Sequence, residues 1–212
     1  MSVPNPTHIF HITPFENLRM ILEAGELRAR RMLEQEDTGY TNIAHQNIQE
    51  RRARTDVPCG PRGVLNDYVP FYFGPRSPML FTISNRNVEG FSGGQQSIVH
   101  LVSTVQSVQA AGLGFVFTDG HGIMAITEFY DDPARLDEVD WPLMRARYWR
   151  DINNDLDRKR RRQAEFLVHE RFPVNLVQEI GVMNQRKKAE NEALLAEFGR
   201  VIQVTTKRDW YY

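Results

Sequence analysis

One stretch narrows the fold more than any other: Gln163-Ala164-Glu165-Phe166-Leu167-Val168-His169, directly behind Arg158-Lys159-Arg160-Arg161-Arg162. Its pattern has period two and predicts a short strand. Ala164, Phe166 and Val168 point one way, into a core. Gln163, Glu165, Leu167 and His169 point the other way. A strand at this place therefore sets one carboxylate on a mixed face beside five cationic side chains. That pairing makes Glu165 a candidate catalytic group acting on a polyanion, although basic runs are more often solvated faces.

The remaining chain predicts many short strands with helices placed irregularly between them, an α+β fold in one domain spanning residues 1–212. Its 212 residues are enough for one sizeable core. Residues 8–13 read as a strand. A helix follows, with Thr13 as N-cap, Pro14 at the first helical position and Glu16 completing a Thr-x-x-Glu box. Phe15, Leu18 and Leu22 form its buried stripe and Gly25 ends it. The junction sets His11 and Thr13 at a helix N-terminus, a place suited to a polar or anionic ligand.

Residues 26–40 read as charged and turn-like, 41–54 as a helix starting at Thr41 or Asn42, and 56–66 as a loop. In Tyr68–Leu80, aromatics crowd a segment whose three prolines argue against a regular central strand or helix. Such a segment offers a face for stacking a base or a nicotinamide ring, or plugs the edge of the core. Strands are expected at 97–103, 114–118, 175–182 and 201–205. Helical segments are expected at 104–111, 123–130, 183–198 and in part of 141–162. His121 sits in the glycine-flanked turn Gly120-His121-Gly122, free to lean into a cleft.

The formal net charge of −1 argues against coating nucleic acid by bulk electrostatics. The cations are clustered, however, at 51–54, 145–150 and 158–162, so one groove can hold a short piece of nucleic acid. One cysteine, Cys59, excludes an internal disulfide and a cysteine metal cluster. The absence of a signal peptide and of a membrane-length apolar run favours the cytoplasm, with no membrane partner. No GxxxxGK[ST], GxGxxG, HExxH or GxSxG is present, and the histidines lack metal-ligand spacing. What remains, a carboxylate with arginines, histidines and aromatics, suits a reaction whose leaving group is already activated.

Four stretches in order resemble the DarT family of DNA ADP-ribosyltransferase toxins. They are Phe10-His11-Ile12-Thr13 with Asn17-Leu18 behind it, the arginines at 51 and 52, Tyr68–Phe73 running into Pro75–Leu80, and Gln163–Val168. The resemblance implies a single-domain ADP-ribosyltransferase-like fold, with central short-stranded sheets flanked by helices. It implies NAD+ as a consumed substrate, no metal, and transfer of ADP-ribose to a base of single-stranded DNA, thymidine in the best-known branch, with release of nicotinamide. By motif position, Glu165 matches the catalytic glutamate. Arg51 matches the assisting arginine, with Arg52 beside it as the alternative. His11, Ile12, Thr13, Asn17, Arg51 and Met79 match the NAD+ site. His121 has a looser match near the DNA, where Arg76, Arg147 and Arg150 are assigned to the groove. A toxin of this kind has a macrodomain antitoxin partner, DarG-like. Competing expectations are an ADP-ribosyltransferase acting on guanine or protein, and a non-enzymatic domain that binds single-stranded nucleic acid.

Overall fold

Proline and glycine mark the two ends of the first helix, at Pro14 and Gly25, and proline opens another helix at Pro78. The structure, a computed structural model, describes residues 2–36, 39–41, 43, 46–88 and 90–212. In chain order the strands and α-helices are β1 (His8–Pro14), α1 (Phe15–Ala24), β2 (Glu26–Arg28), α2 (Arg30–Gln35), α3 (Gln46–Arg52), β3 (Tyr68–Tyr72), α4 (Pro78–Ser84), β4 (Ile98–Thr104), α5 (Val105–Ala110), β5 (Phe115–Thr118), β6 (Phe129–Tyr130), α6 (Trp141–Arg145), α7 (Arg158–Arg161), β7 (Glu165–His169), β8 (Arg171–Pro173), β9 (Glu179–Val182), α8 (Gln185–Glu197) and β10 (Gln203–Thr206). Eight of the strands form one sheet in the order β10-β9-β4-β1-β3-β7-β5-β6, and β2 pairs with β8 alongside. This is the expected α+β architecture of a sheet flanked by helices.

The α1 boundary differs from the sequence reading by one residue. β1 runs through Pro14, and no side chain caps α1, so the Thr-x-x-Glu box is not formed. Thr13 is held in extended pairing with Val99 and is the acceptor for Asn17 instead. Gly25 ends α1 in the left-handed region, at φ 72°, and its N–H reaches Leu22 O.

The aromatic stretch is the larger difference. β3 is a central strand despite Pro70, paired along its full length with β7 from Tyr68↔His169 to Tyr72↔Glu165. Proline is tolerated because Pro70 O turns toward β1, where His11 Nδ1 lies 2.8 Å away. The proline nitrogen lies on that side too, so no β3–β7 hydrogen bond is lost. On that side β3 meets β1 through one register pair, Phe10↔Tyr72. Beyond it the two strands leave a gap, which becomes the cleft described below. Pro78 then fills the first turn of α4, where Ser77 Oγ accepts from Leu80 N.

Three further expectations give way. Residues 123–130 are turns running into β6, because side chains of Asp119 and Thr127, rather than a helical ladder, satisfy the local backbone. The segment expected as a strand from 175 starts with a short 3₁₀ turn and becomes β9 only at Glu179. The α3 helix runs from Gln46; of its two expected starts, Thr41 is not helical and Asn42 lies outside the described residues.

The catalytic-strand candidate is buried on both faces. Phe166 and Val168 join the main core with Ile9, Phe71, Leu18 and Phe172. Leu167 joins a second cluster with Leu65, Tyr68, Val116 and Ile123. A central strand has no solvent face, so the mixed face read from the sequence is a buried polar site at its end.

Candidate active site

Glu165 is the first residue of β7, directly opposite Tyr72. Its side chain is 5% exposed and that of its ion-pair partner Arg52 is 9% exposed. Arg52 Nη1 donates to both carboxylate oxygens, at 2.8 and 3.1 Å. Arg52 Nη2 is also buried and has no partner. An orphaned guanidinium N–H is costly unless something accepts from it.

Arg52, the alternative, holds the carboxylate; Arg51, matched by motif position, does not line the cleft. It is exposed and donates to Ile123 O at 3.0 Å. The helix explains the choice. Ile48 and Arg52 are four residues apart and share the inward face of α3, while Arg51 is rotated away.

Glu165, Arg52, Tyr72 and His121 line a cavity of about 350 Å³, ample for a small-molecule site. His11, Ile12, Thr13, Asn17 and Met79, all expected at the NAD+ site, line the same cavity. His11 and Thr13 come from β1 where it parts from β3, and Met79 from the first turn of α4. Burial pushes His11 down to about 4, against the Pro70 carbonyl that pulls it up, so the ring is neutral. Asn17 is committed to the backbone. It holds both the N–H and the C=O of Thr41, at 2.8 and 2.9 Å, and so shapes the cleft through that segment.

His121 enters the cleft from the expected glycine-flanked turn. Its N–H donates to Arg160 O at 3.0 Å, and its carbonyl accepts from Thr127 Oγ1 at 2.8 Å. Its Nδ1 is buried without a partner. Burial lowers its pKa, partly opposed by Glu165 and reinforced by Arg52 and Arg51. Gly122 gives the carboxylate room here: a Cβ would meet Glu165 Oε2 at 3.1 Å and Leu65 at similar range. Tyr72, unremarked in the sequence, has its hydroxyl pKa raised by burial and by Glu165.

The remaining assignments lie elsewhere. Arg76, Arg147 and Arg150 do not line the cavity. Arg76 is half-buried over the Tyr212 ring, 4.4 Å from its centroid. Arg147 and Arg150 are exposed on either side of Tyr148, itself 78% exposed. Three arginines of the basic run are committed within the fold. Arg160 binds Asp119 and Asp157, Arg161 binds Asp140 and Asp155, and Arg162 donates to the carbonyls of Leu143, Met144 and Arg76. Among the described residues no group of three His, Cys, Asp or Glu side chains is placed to hold a metal ion.

A buried Glu–Arg pair, neutral histidines and an aromatic hydroxyl around one cavity agree with the resemblance read from the sequence. The family model described as ssDNA thymidine ADP-ribosyltransferase, DarT, matches residues 10–212. The chain belongs to the DarT family. A DNA ADP-ribosyl transferase of Thermus sp. (strain 2.9) is 45% identical to it over 213 residues, covering 100% of this chain and 99% of that protein. The structure of Thermus sp. 2.9 DarT in complex with ADP-ribosylated ssDNA is similar with a TM-score of 0.93, at 44% identity, covering 100% of this chain and 99% of that one. Thermus sp. 2.9 DarT in complex with NAD+ gives 0.89 at 42% identity, with both chains fully covered. Membership makes this DarT-family chain an ADP-ribosyltransferase of single-stranded DNA.

Proposed function

We propose that residues 1–212 act as one domain that transfers ADP-ribose from NAD+ to thymidine in single-stranded DNA, with Glu165, Arg52 and His121 at the reacting centre. The observation that carries this assignment is the buried Glu165–Arg52 pair at the wall of the cleft, with an unpartnered Arg52 N–H and an unpartnered His121 nitrogen beside it. NAD+ lies along the cleft, its nicotinamide ribose toward Glu165. His11, Thr13 and Met79 hold it, and Asn17 acts through Thr41.

Breaking the nicotinamide–ribose bond leaves a cation at the ribose carbon. Glu165 balances that charge. As thymine N3 forms the new bond to this carbon it gives up its proton, which Glu165 accepts. The products are nicotinamide, the modified base and a proton released on turnover. Arg52 keeps Glu165 in place and offers Nη2 to an oxygen of the dinucleotide. His121 faces the incoming base. In a duplex N3 is engaged in pairing, which accounts for the single-strand requirement. Exposed Tyr148 between Arg147 and Arg150 supplies a stacking face and two cations for the flanking strand.

We also assign a cytoplasmic toxin role, counteracted by a DarG-like macrodomain partner that removes ADP-ribose. No helix of the described residues is long and apolar enough to cross a membrane. The test is mass spectrometry of a mixed-sequence single-stranded oligonucleotide after incubation with NAD+. An ADP-ribose adduct on thymidine is expected. Glu165→Ala is expected to lose about 10²–10⁴-fold in rate. Adducts only on guanine or protein, or near-wild-type transfer by Glu165→Ala, would refute the assignment.

A further inference from the structure

Thr118 is fully buried at the end of β5, and its hydroxyl makes two hydrogen bonds. It accepts from the Glu165 backbone N–H at 3.0 Å and donates to Gly120 O at 2.7 Å. The register explains why a side chain is needed. Backbone pairing of β5 with β7 ends at Phe117↔Phe166, one residue short of Glu165. The Glu165 N–H would otherwise be a buried donor without a partner.

On its other side the hydroxyl holds Gly120, the residue before His121. That turn is braced independently. Arg160 grips Asp119 with one guanidinium nitrogen, at 2.9 and 3.0 Å, and its carbonyl accepts from His121 N at 3.0 Å. The turn rests on the carboxylate itself, which a Cβ at 122 would crowd.

We propose that Thr118 is a positioning residue for the transfer reaction: its hydroxyl fixes the strand end bearing Glu165 to the turn bearing His121. The two groups come from segments more than forty residues apart in sequence. One hydroxyl spans them directly, in addition to the Arg160 contacts that hold the turn. This rests on the assignment of Glu165 and His121 to the reacting centre. Valine keeps the shape of threonine and removes both bonds. Serine keeps both bonds and removes one methyl.

Steady-state kinetics with a thymidine-containing oligonucleotide and NAD+ test the idea. Thr118→Val is expected to lower kcat by about 10–100-fold, the scale of a small misplacement of reacting groups. Its KM for NAD+ should stay within about threefold, since the rest of the cleft is untouched. Thr118→Ser should restore kcat to within about threefold of wild type by the same reasoning. NAD+-induced stabilisation in thermal melts checks that the cleft is intact; if Thr118→Val yields no folded protein, Thr118→Ala is compared with Thr118→Ser. Glu165→Gln is measured in parallel. If it is inactive while Thr118→Val turns over normally, the coupling is overturned and the site assignment stands. If Glu165→Gln is itself active, both fall. A serine variant as impaired as the hydroxyl-free one also overturns the proposal.

Discussion

Arg51 and Arg52 are neighbours whose side chains meet different surroundings, and the difference is measurable. Arg52 is locked on Glu165, while Arg51 donates to the Ile123 carbonyl. Lysine at 52 keeps a positive charge but cannot supply both the bond to Glu165 and a second fixed donor. Arg52→Lys is therefore expected to lower nicotinamide release by about 10²-fold, the scale of one lost donor at a developing charge. Arg51→Lys should stay within about threefold, since an exposed cation is retained. Equal losses in the two variants would contradict the assignment. Alanine at 52 is the poorer test, because it strands a buried carboxylate at a cost of about 3–5 kcal/mol. The period of the helix favours Arg52 for the inward place: Ile48 is the apolar residue four before it. Motif position matched Arg51, with Arg52 as the alternative. Thr118 and Tyr72 were not legible, because their importance comes from a cross-strand neighbour that only pairing reveals.

At the scale of elements, strands with clear alternation or apolar runs, such as β1, β4, β5 and β7, were readable, and so was α8. β3 was not, since tolerance of Pro70 depends on which side of the strand its missing N–H faces. The helix α7 shows the same limit for charge. Five consecutive cations suggested a path for DNA, yet acids that pair with Arg160 and Arg161 lie up to 41 positions away in sequence. Arg162 is the extreme case. It is buried, its pKa is pushed down to about 10 by burial, and it donates to three carbonyls from two other segments. Arg162→Gln strands some of these, at a cost on the order of 3 kcal/mol. For a chain of this size that lowers the melting temperature by about 6–12 °C. Arg147→Ala and Arg150→Ala should leave melting unchanged. Each is expected to reduce the salt slope of single-strand affinity by about 0.7, the contribution of one phosphate contact. Calorimetry and salt titrations separate the two kinds of arginine. A melting point unchanged in Arg162→Gln would remove its structural role.

For the whole molecule, the buried histidines link the cleft to acid stability. His11 sits where β1 parts from β3. His100 lies fully buried on β4, with Nε2 3.0 Å from Pro75 O and Nδ1 3.2 Å from the Tyr211 hydroxyl. Burial pushes both down to about 4, opposed by the carbonyls they face. The unfolded chain protonates these rings near 6.5, so between 6.5 and about 4 it binds protons that the folded chain does not. Their contribution is therefore complete above 6.5 and is lost as pH falls toward 4. Each is on the order of 3 kcal/mol over that window, together a large part of the roughly 5–15 kcal/mol that holds a domain folded. His121, lowered in the same direction, adds to the loss. Urea midpoints at pH 7.5, 6.0 and 5.0 should fall steadily, and His100→Asn should flatten the slope even if it lowers the midpoint at pH 7.5. Midpoints that hold constant across this range would mean that the rings are protonated in the fold, and that the carbonyls of Pro70 and Pro75 outweigh desolvation. The cleft would be lost with the fold, because His11 belongs to its wall and His100 anchors Pro75, just ahead of the helix that carries Met79.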